Sequence, residues 1–209
     1  IISLSHGGSI KRQPPDSVRS QHRGGKGLIG SDVADEDFIS HFVNANTHDN
    51  ILFFTNRGRV FQTKVWEIPL ASRTAKGKAI QNFLEIPGDE SVSAIIAYEK
   101  NKEGYLVMIT KHGVIKKTSL ADFGNVRKNG IIAITLKEKD ELQWVGLSSG
   151  EDQVILTTLE GMSIRFKESD VRAMGRGASG VTAIRLKGKD EVTSLNIISK
   201  ELAKTAKLL

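Results

Sequence analysis

The chain has no cysteine, which excludes both a disulfide framework and a thiolate metal centre. It fits a reducing compartment. Aromatic residues make up only 6% of the sequence, too few for a platform on which single-stranded bases would stack. No apolar run approaches the roughly 20 residues of a membrane-spanning helix. The first residues also lack the charged-then-apolar order of a signal peptide. These absences predict a cytoplasmic protein without a membrane partner. Helical periodicity is weak throughout, and the five histidines show no paired ligand spacing.

What is present is charge and repetition. Lys plus Arg total 30 against 24 Asp plus Glu, a net charge of +6 that favours polyanionic partners. At 209 residues the chain suits one domain or a short repeat array. A strand, a tight turn ending in glycine and a second strand recur at residues 2–10, 52–60, 107–115 and 155–163. The turn glycines Gly8, Gly58, Gly113 and Gly161 are 50, 55 and 48 residues apart. A second set, Gly27, Gly77, Gly130 and Gly180, follows its partners by 19, 19, 17 and 19 residues and opens a third strand. Acidic turns come next at Asp35–Asp37, Asp89–Glu90, Asp140–Glu141 and Asp190–Glu191, each followed by a fourth apolar strand.

Four short strands rich in Val, Ile, Leu and Thr, bounded by Gly and Asp turns, make a small antiparallel sheet. One such sheet cannot bury both faces, whereas several stacked radially can. The prediction is an all-β, propeller-like repeat domain over 1–209, with four four-stranded antiparallel blades. The blades span about 1–50, 51–104, 105–152 and 153–199, and 200–209 is a linker or the start of a further blade. Ser199 to Leu209 has the composition for one helical turn after a Ser cap. The opening Ile1-Ile2-Ser3-Leu4 reads as the inside of a strand, so a piece of a longer protein is expected. Trp66, Trp144 and most phenylalanines fall in β-like runs and are expected in the core.

The signs of charge are segregated. Basic residues gather between the second and third strands of each unit: Arg12, Arg19, Arg23 and Lys26, then Lys64, Arg73, Lys76 and Lys78. The third unit offers Lys116, Lys117, Arg127 and Lys128, the fourth Arg165, Lys167, Arg172 and Arg176. Blades around an axis would join these segments into one basic band. A duplex held there binds through phosphates and counterion release, with a log–log salt slope of roughly −0.9 per phosphate neutralised. Such contacts position without reading bases. Bending a few tens of base pairs costs on the order of 1–6 kcal/mol, so several blades must act together.

One loop stands apart: Gln21-His22-Arg23-Gly24-Gly25-Lys26-Gly27. Arg23 can fork onto phosphate oxygens, Lys26 adds a point charge, and the glycines permit close backbone approach. This stretch resembles the seven-residue box of the C-terminal DNA-wrapping domain of the DNA gyrase A subunit, which reads Gln, a basic residue, then Arg-Gly-Gly-Lys-Gly. His22 stands where that family has a permanent charge. The similarity covers the whole chain, including Asp37-Phe38-Ile39, Ala45 to Asp49 and the Arg57-Gly58-Arg59-Val60 turn.

The resemblance implies a β-pinwheel whose blades are related by a swapped hairpin. The family usually has about six blades, of which these would be the first four. It also implies a module without catalysis or cofactor that wraps duplex DNA in a right-handed, positive sense and sets the sign of supercoiling. The cleaving tyrosine, metal site and ATPase would lie outside this chain, and its partners would be DNA, the remainder of the gyrase A subunit, plus the gyrase B subunit. The implied DNA contacts are Gln21, His22, Arg23, Gly24, Gly25, Lys26, Gly27, Arg57, Arg59, Arg73, Lys76, Lys78, Lys116, Lys117, Arg127, Lys128, Arg165 and Arg176. The alternatives are the matching domain of topoisomerase IV, whose box is typically degraded, and a propeller scaffold for acidic protein partners. No small-molecule substrate is implied. Gly25–Gly30 and Gly175–Gly180 fit a G-x-G-x-x-G pattern, but neither opens a helix within a βαβ unit, so they read as echoes of the repeat.

Overall fold

The structure is a computed structural model that describes residues 1–17, 23–24, 37–127 and 129–205. The first unit supplies β1 (Ile2–Ser5), β2 (Ser9–Arg12) and β3 (Ile39–Val43). The second supplies β4 (Asn50–Thr55), β5 (Arg59–Lys64), β6 (Lys78–Ala79) and β7 (Val92–Tyr98). The third gives β8 (Tyr105–Thr110), β9 (Val114–Ser119), β10 (Ile131–Ile132) and β11 (Leu142–Ser148). In the fourth are β12 (Gln153–Thr158), β13 (Ser163–Lys167), β14 (Val181–Thr182) and β15 (Val192–Ile198). Every strand pairing is antiparallel. The tail forms one 3-10 turn, Leu202–Lys204, with the Leu202 N–H donating to Ser199 Oγ at 3.4 Å.

The sheets run β3-β1-β2-β6, β10-β5-β4-β7, β11-β8-β9-β14 and, among the described residues, β13-β12-β15. Repeat spacing places the third strand in its own unit. Instead β6, β10 and β14 each join the sheet of the preceding unit, through Ile10↔Lys78, Val60↔Ile131 and Ile115↔Val181. The loop glycine makes this possible. Gly77 has φ +85°, and a Cβ there would stand 2.6 Å from the carbonyl oxygen of Ile10. Only a residue without a side chain lets the loop lie directly on the neighbouring strand.

Apolar layers fill the spaces between successive sheets. Ile2, Leu4 and Ile10 meet Ile51, Phe53 and Phe61. The other face of the second sheet, with Leu52, Phe54 and Val60, meets Leu106 and Met108 of the third. Val107, Ile109 and Ile115 meet Val154 and Leu156 in the same way. The alternation along each central strand thus serves two cores, which is why β4 and β8 read as continuous apolar runs. Trp144 is half-buried against the third layer, but Trp66 is 52% exposed on the turn after β5, and Phe38 and Phe42 are exposed too. These three depart from the expected core because they lie in an irregular turn or on the first sheet's innermost edge strand and its lead-in, outside the apolar layers.

The acidic turns have a structural task. Asp37, Asp140 and Asp190 each accept the backbone N–H of the residue before the turn glycine (Gly7, His112 and Glu160) at 2.8–3.0 Å. Hydrogen bonds from the Ser5 hydroxyl and the Gly7 N–H hold the Asp37 carboxyl below its ordinary value. Burial pushes Asp190 upward, but donors from Glu160, Thr158, Glu191 and Leu159 prevail and lower it.

The strand orders also set inside and outside. β3, β7, β11 and β15 pack in succession at one edge of the sheets. The exchanged strands β6, β10 and β14 occupy the opposite edge. The loops leading into them therefore share one side of the molecule.

Candidate nucleic-acid interface

The outer loops of the second and fourth units enter along the second strand of the preceding unit. Arg12 and Leu70 form a parallel bridge, as do Lys117 and Ala173. A turn follows, closed by Ala75 N–H to Ser72 O at 3.2 Å in one unit and Ala178 N–H to Gly175 O at 3.1 Å in another. The residue inside each turn is an arginine, Arg73 or Arg176, placed four residues before Gly77 or Gly180. Arg23 stands at the same distance from Gly27, but the third unit has Val126 there. Of the seven-residue box only Arg23, exposed, and Gly24, with φ +87°, are described. Gln21, His22, Gly25, Lys26 and Gly27 lie outside the described residues, as does Lys128.

Several predicted cations do meet on the outer edge. Lys76 and Lys78 are exposed and Arg73 half-buried on the first such loop and strand. Arg127 is exposed on the second and Arg176 half-buried on the third. Arg165, exposed on β13, is engaged by Gln153 Oε1 at 3.0 Å and the carbonyl of Ala203 at 2.7 Å. Arg57 sits on the β4–β5 turn, at the end of the sheet that the acidic turns occupy. Arg59 is partly committed to the fold: it donates to Glu90 at 3.3 Å and to the carbonyl of Asn129 at 2.5 Å, and lies 5.2 Å from the Phe61 ring centre.

Lys116 and Lys117 are not surface cations, and their place in the basic band is corrected. Both are buried. The Lys116 ammonium donates to the carbonyls of Ala133, at 2.6 Å, and Arg176. Burial lowers its pKa to about 8, with Asp122 opposing and Arg176 assisting. The Lys117 ammonium donates to the Glu168 carbonyl at 3.0 Å and lies 3.8 Å from its carboxylate, which also accepts from Ser148, Gly150 and Asp152. Lys116 and Lys117 lie opposite Met108 and Val107 of β8, whose two faces meet different apolar layers, so consecutive lysines on β9 are buried on both faces of the sheet.

Lys11, outside the expected contacts, is 2% exposed on β2. Its ammonium donates to the carbonyls of Arg73 and Ala75 at 2.7 Å each, and to Ser72 at 3.5 Å. The signal that could have found it is repeat position: Lys11 and Lys116 both lie three residues beyond a turn glycine.

Fold and rim together define a strand-exchanged, propeller-like repeat domain with cationic loops along its outer edge. The family described as "DNA gyrase C-terminal domain, beta-propeller" matches residues 1–46, 49–98, 104–149 and 152–199. The chain belongs to this family of gyrase C-terminal domains. The DNA gyrase A subunit of Staphylococcus epidermidis is 45% identical over 203 residues, covering 96% of this chain and 23% of the relative. That of Halalkalibacterium halodurans is 48% identical over 185 residues, 88% of this chain and 22% of the relative. The chain thus spans under a quarter of the length of these relatives. A solved gyrase A C-terminal domain superposes with TM-score 0.76 at 27% identity, covering 96% of this chain and 64% of that one. The C-terminal domain of a DNA topoisomerase IV gives 0.76 at 27%, covering 95% and 61%.

Proposed function

We propose that this chain is the non-catalytic DNA-wrapping module of a gyrase A subunit, binding duplex DNA along its outer edge in a right-handed, positive sense and so setting the sign of supercoiling. The observation that carries the reading is an arginine-bearing turn at one place in the repeat. Arg73 and Arg176 lie in equivalent turns on the same edge, and Arg23 has the same sequence position. Arginine suits that place because its planar fork can grip two phosphate oxygens. Lys76, Lys78 and Arg127 add charge between the turns. The four units, about 1–50, 51–104, 105–152 and 153–199, act as successive contact modules on one bent duplex. DNA cleavage and ATP hydrolysis belong to other parts of the parent enzyme, the rest of the A subunit together with the B subunit, in the bacterial cytoplasm at the nucleoid. The fold is equally close to topoisomerase IV, but the nearly intact box and the gyrase relatives favour gyrase.

The test is topological. Nicked circles ligated around the chain should gain positive writhe. Arg23→Ala with Lys26→Ala should abolish that gain while leaving the melting temperature unchanged. Unaltered linking numbers in the double variant would refute the role of the box.

A further inference from the structure

Two buried lysines reach across a blade boundary to the same point on the next unit's loop. Lys11 donates to Arg73 O, and Lys116 donates to Arg176 O. Each ammonium is inside the protein, so neither can touch a phosphate. Both grip the turn that carries the outer-edge arginine at that arginine's own carbonyl. The third unit provides an internal comparison. The equivalent position on β5 is Phe61, which is fully buried, and the loop it faces carries Val126 in place of arginine. There the loop is held otherwise, by Arg59 to Asn129 O. Within the described residues, then, the turns of Arg73 and Arg176 each receive a lysine, and the loop bearing Val126 receives none.

We infer that Lys11 and Lys116 are positioning residues for phosphate binding, each fixing from inside one blade the backbone of the turn that presents Arg73 or Arg176 at the outer edge. Burying a lysine is costly unless its donors are satisfied, and several backbone carbonyls around one ammonium satisfy them. The turn carbonyls among them, those of Ser72, Arg73 and Ala75 for Lys11 and that of Arg176 for Lys116, hold the turn in one geometry once committed to the ammonium. A phosphate contact then forms without first ordering the loop, which is the advantage of preorganisation. This inference rests on the wrapping reading above.

The experiment measures duplex affinity of the full chain across salt concentration for wild type, Lys11→Met with Lys116→Met, Arg73→Ala with Arg176→Ala, and the quadruple variant. Losing two phosphate contacts should flatten the log–log slope by about 1.8. The arginine pair should show that loss directly. The lysine pair should show the same loss although its ammonium groups never meet DNA, and the quadruple variant should show no further loss. Hydrogen exchange should quicken at the amides of 72–76 and 175–179 while the central strands stay protected. A lysine pair with the wild-type slope overturns the inference and leaves the wrapping reading standing. An arginine pair with the wild-type slope overturns it as well. Absence of salt-dependent duplex binding in the wild type overturns the wrapping reading itself. If the methionine pair does not fold, Lys11→Gln and Lys116→Gln, made singly, carry the same comparison at a slope change of about 0.9 each.

Discussion

Lys116 shows how one residue type can serve opposite ends. Sequence composition counts it among the polyanion-binding cations, since lysine is almost never fully buried. In the structure it is fully buried and its pKa falls to about 8. An unfolded lysine holds its proton to about 10.4. Between those values the unfolded chain binds more protons, so this group's contribution to stability rises as pH increases. The stability of wild type over Lys116→Met should therefore grow from pH 8 to pH 10, by an amount of order 1–3 kcal/mol, in denaturant titrations at each pH. A difference that is flat or falls with pH contradicts the burial. The sequence holds a hint of this, because Lys116 and Lys117 follow directly on the apolar pair Val114 and Ile115 within one strand, β9. Alternation alone cannot tell an inward lysine from an outward one. What identifies it is the acceptor set, and those carbonyls come from residues 17 and 60 positions away.

At the scale of elements, glycine register made the repeat legible. Gly58, Gly113 and Gly161 all adopt left-handed φ in the β-hairpin turns, and Gly77, Gly130 and Gly180 do so at the loop ends. The two sets differ in what surrounds them. At Gly161, φ is +81° with open space around a Cβ, whereas at Gly180, φ is +84° and a Cβ would stand 2.5 Å from Ile115 O. Gly161→Ala should cost about 1 kcal/mol for backbone strain alone. Gly180→Ala must add the displacement of β14 from β9, and should cost about 2 kcal/mol more. Thermal melts of the two variants compare them directly, and equal costs would mean that the exchanged strand adds nothing. The exchange itself was not legible from spacing. β6, β10 and β14 are two residues long, and nothing in two residues says which sheet they complete. Only the resemblance carried that information.

For the molecule as a whole, three apolar layers and three exchanged strands join each sheet to the next. Phe54 is fully buried in the second layer, its ring edge-on to Phe123 with centres 6.2 Å apart. Phe54→Ala should cost about 3–5 kcal/mol. Because its layer is shared, hydrogen-exchange protection should fall together in β4 and β8, not in β4 alone. Loss confined to the second sheet would show that the blades are energetically separate. The outer edge follows the same arrangement. Arg73, Arg127 and Arg176 reach one side because strand exchange puts each loop there, whereas Arg57 and Arg59 read identically in the sequence and are drawn to the turn end or into the fold.

Pairing of Ile10 with Lys78 has a consequence for synthesis on the ribosome. A nascent chain that has emerged only as far as Val43 cannot finish its first sheet, whose outermost partner, β6, has yet to emerge. The second and third sheets wait in the same way on β10 and β14, so maturation proceeds as a relay in which a new segment completes the blade before it.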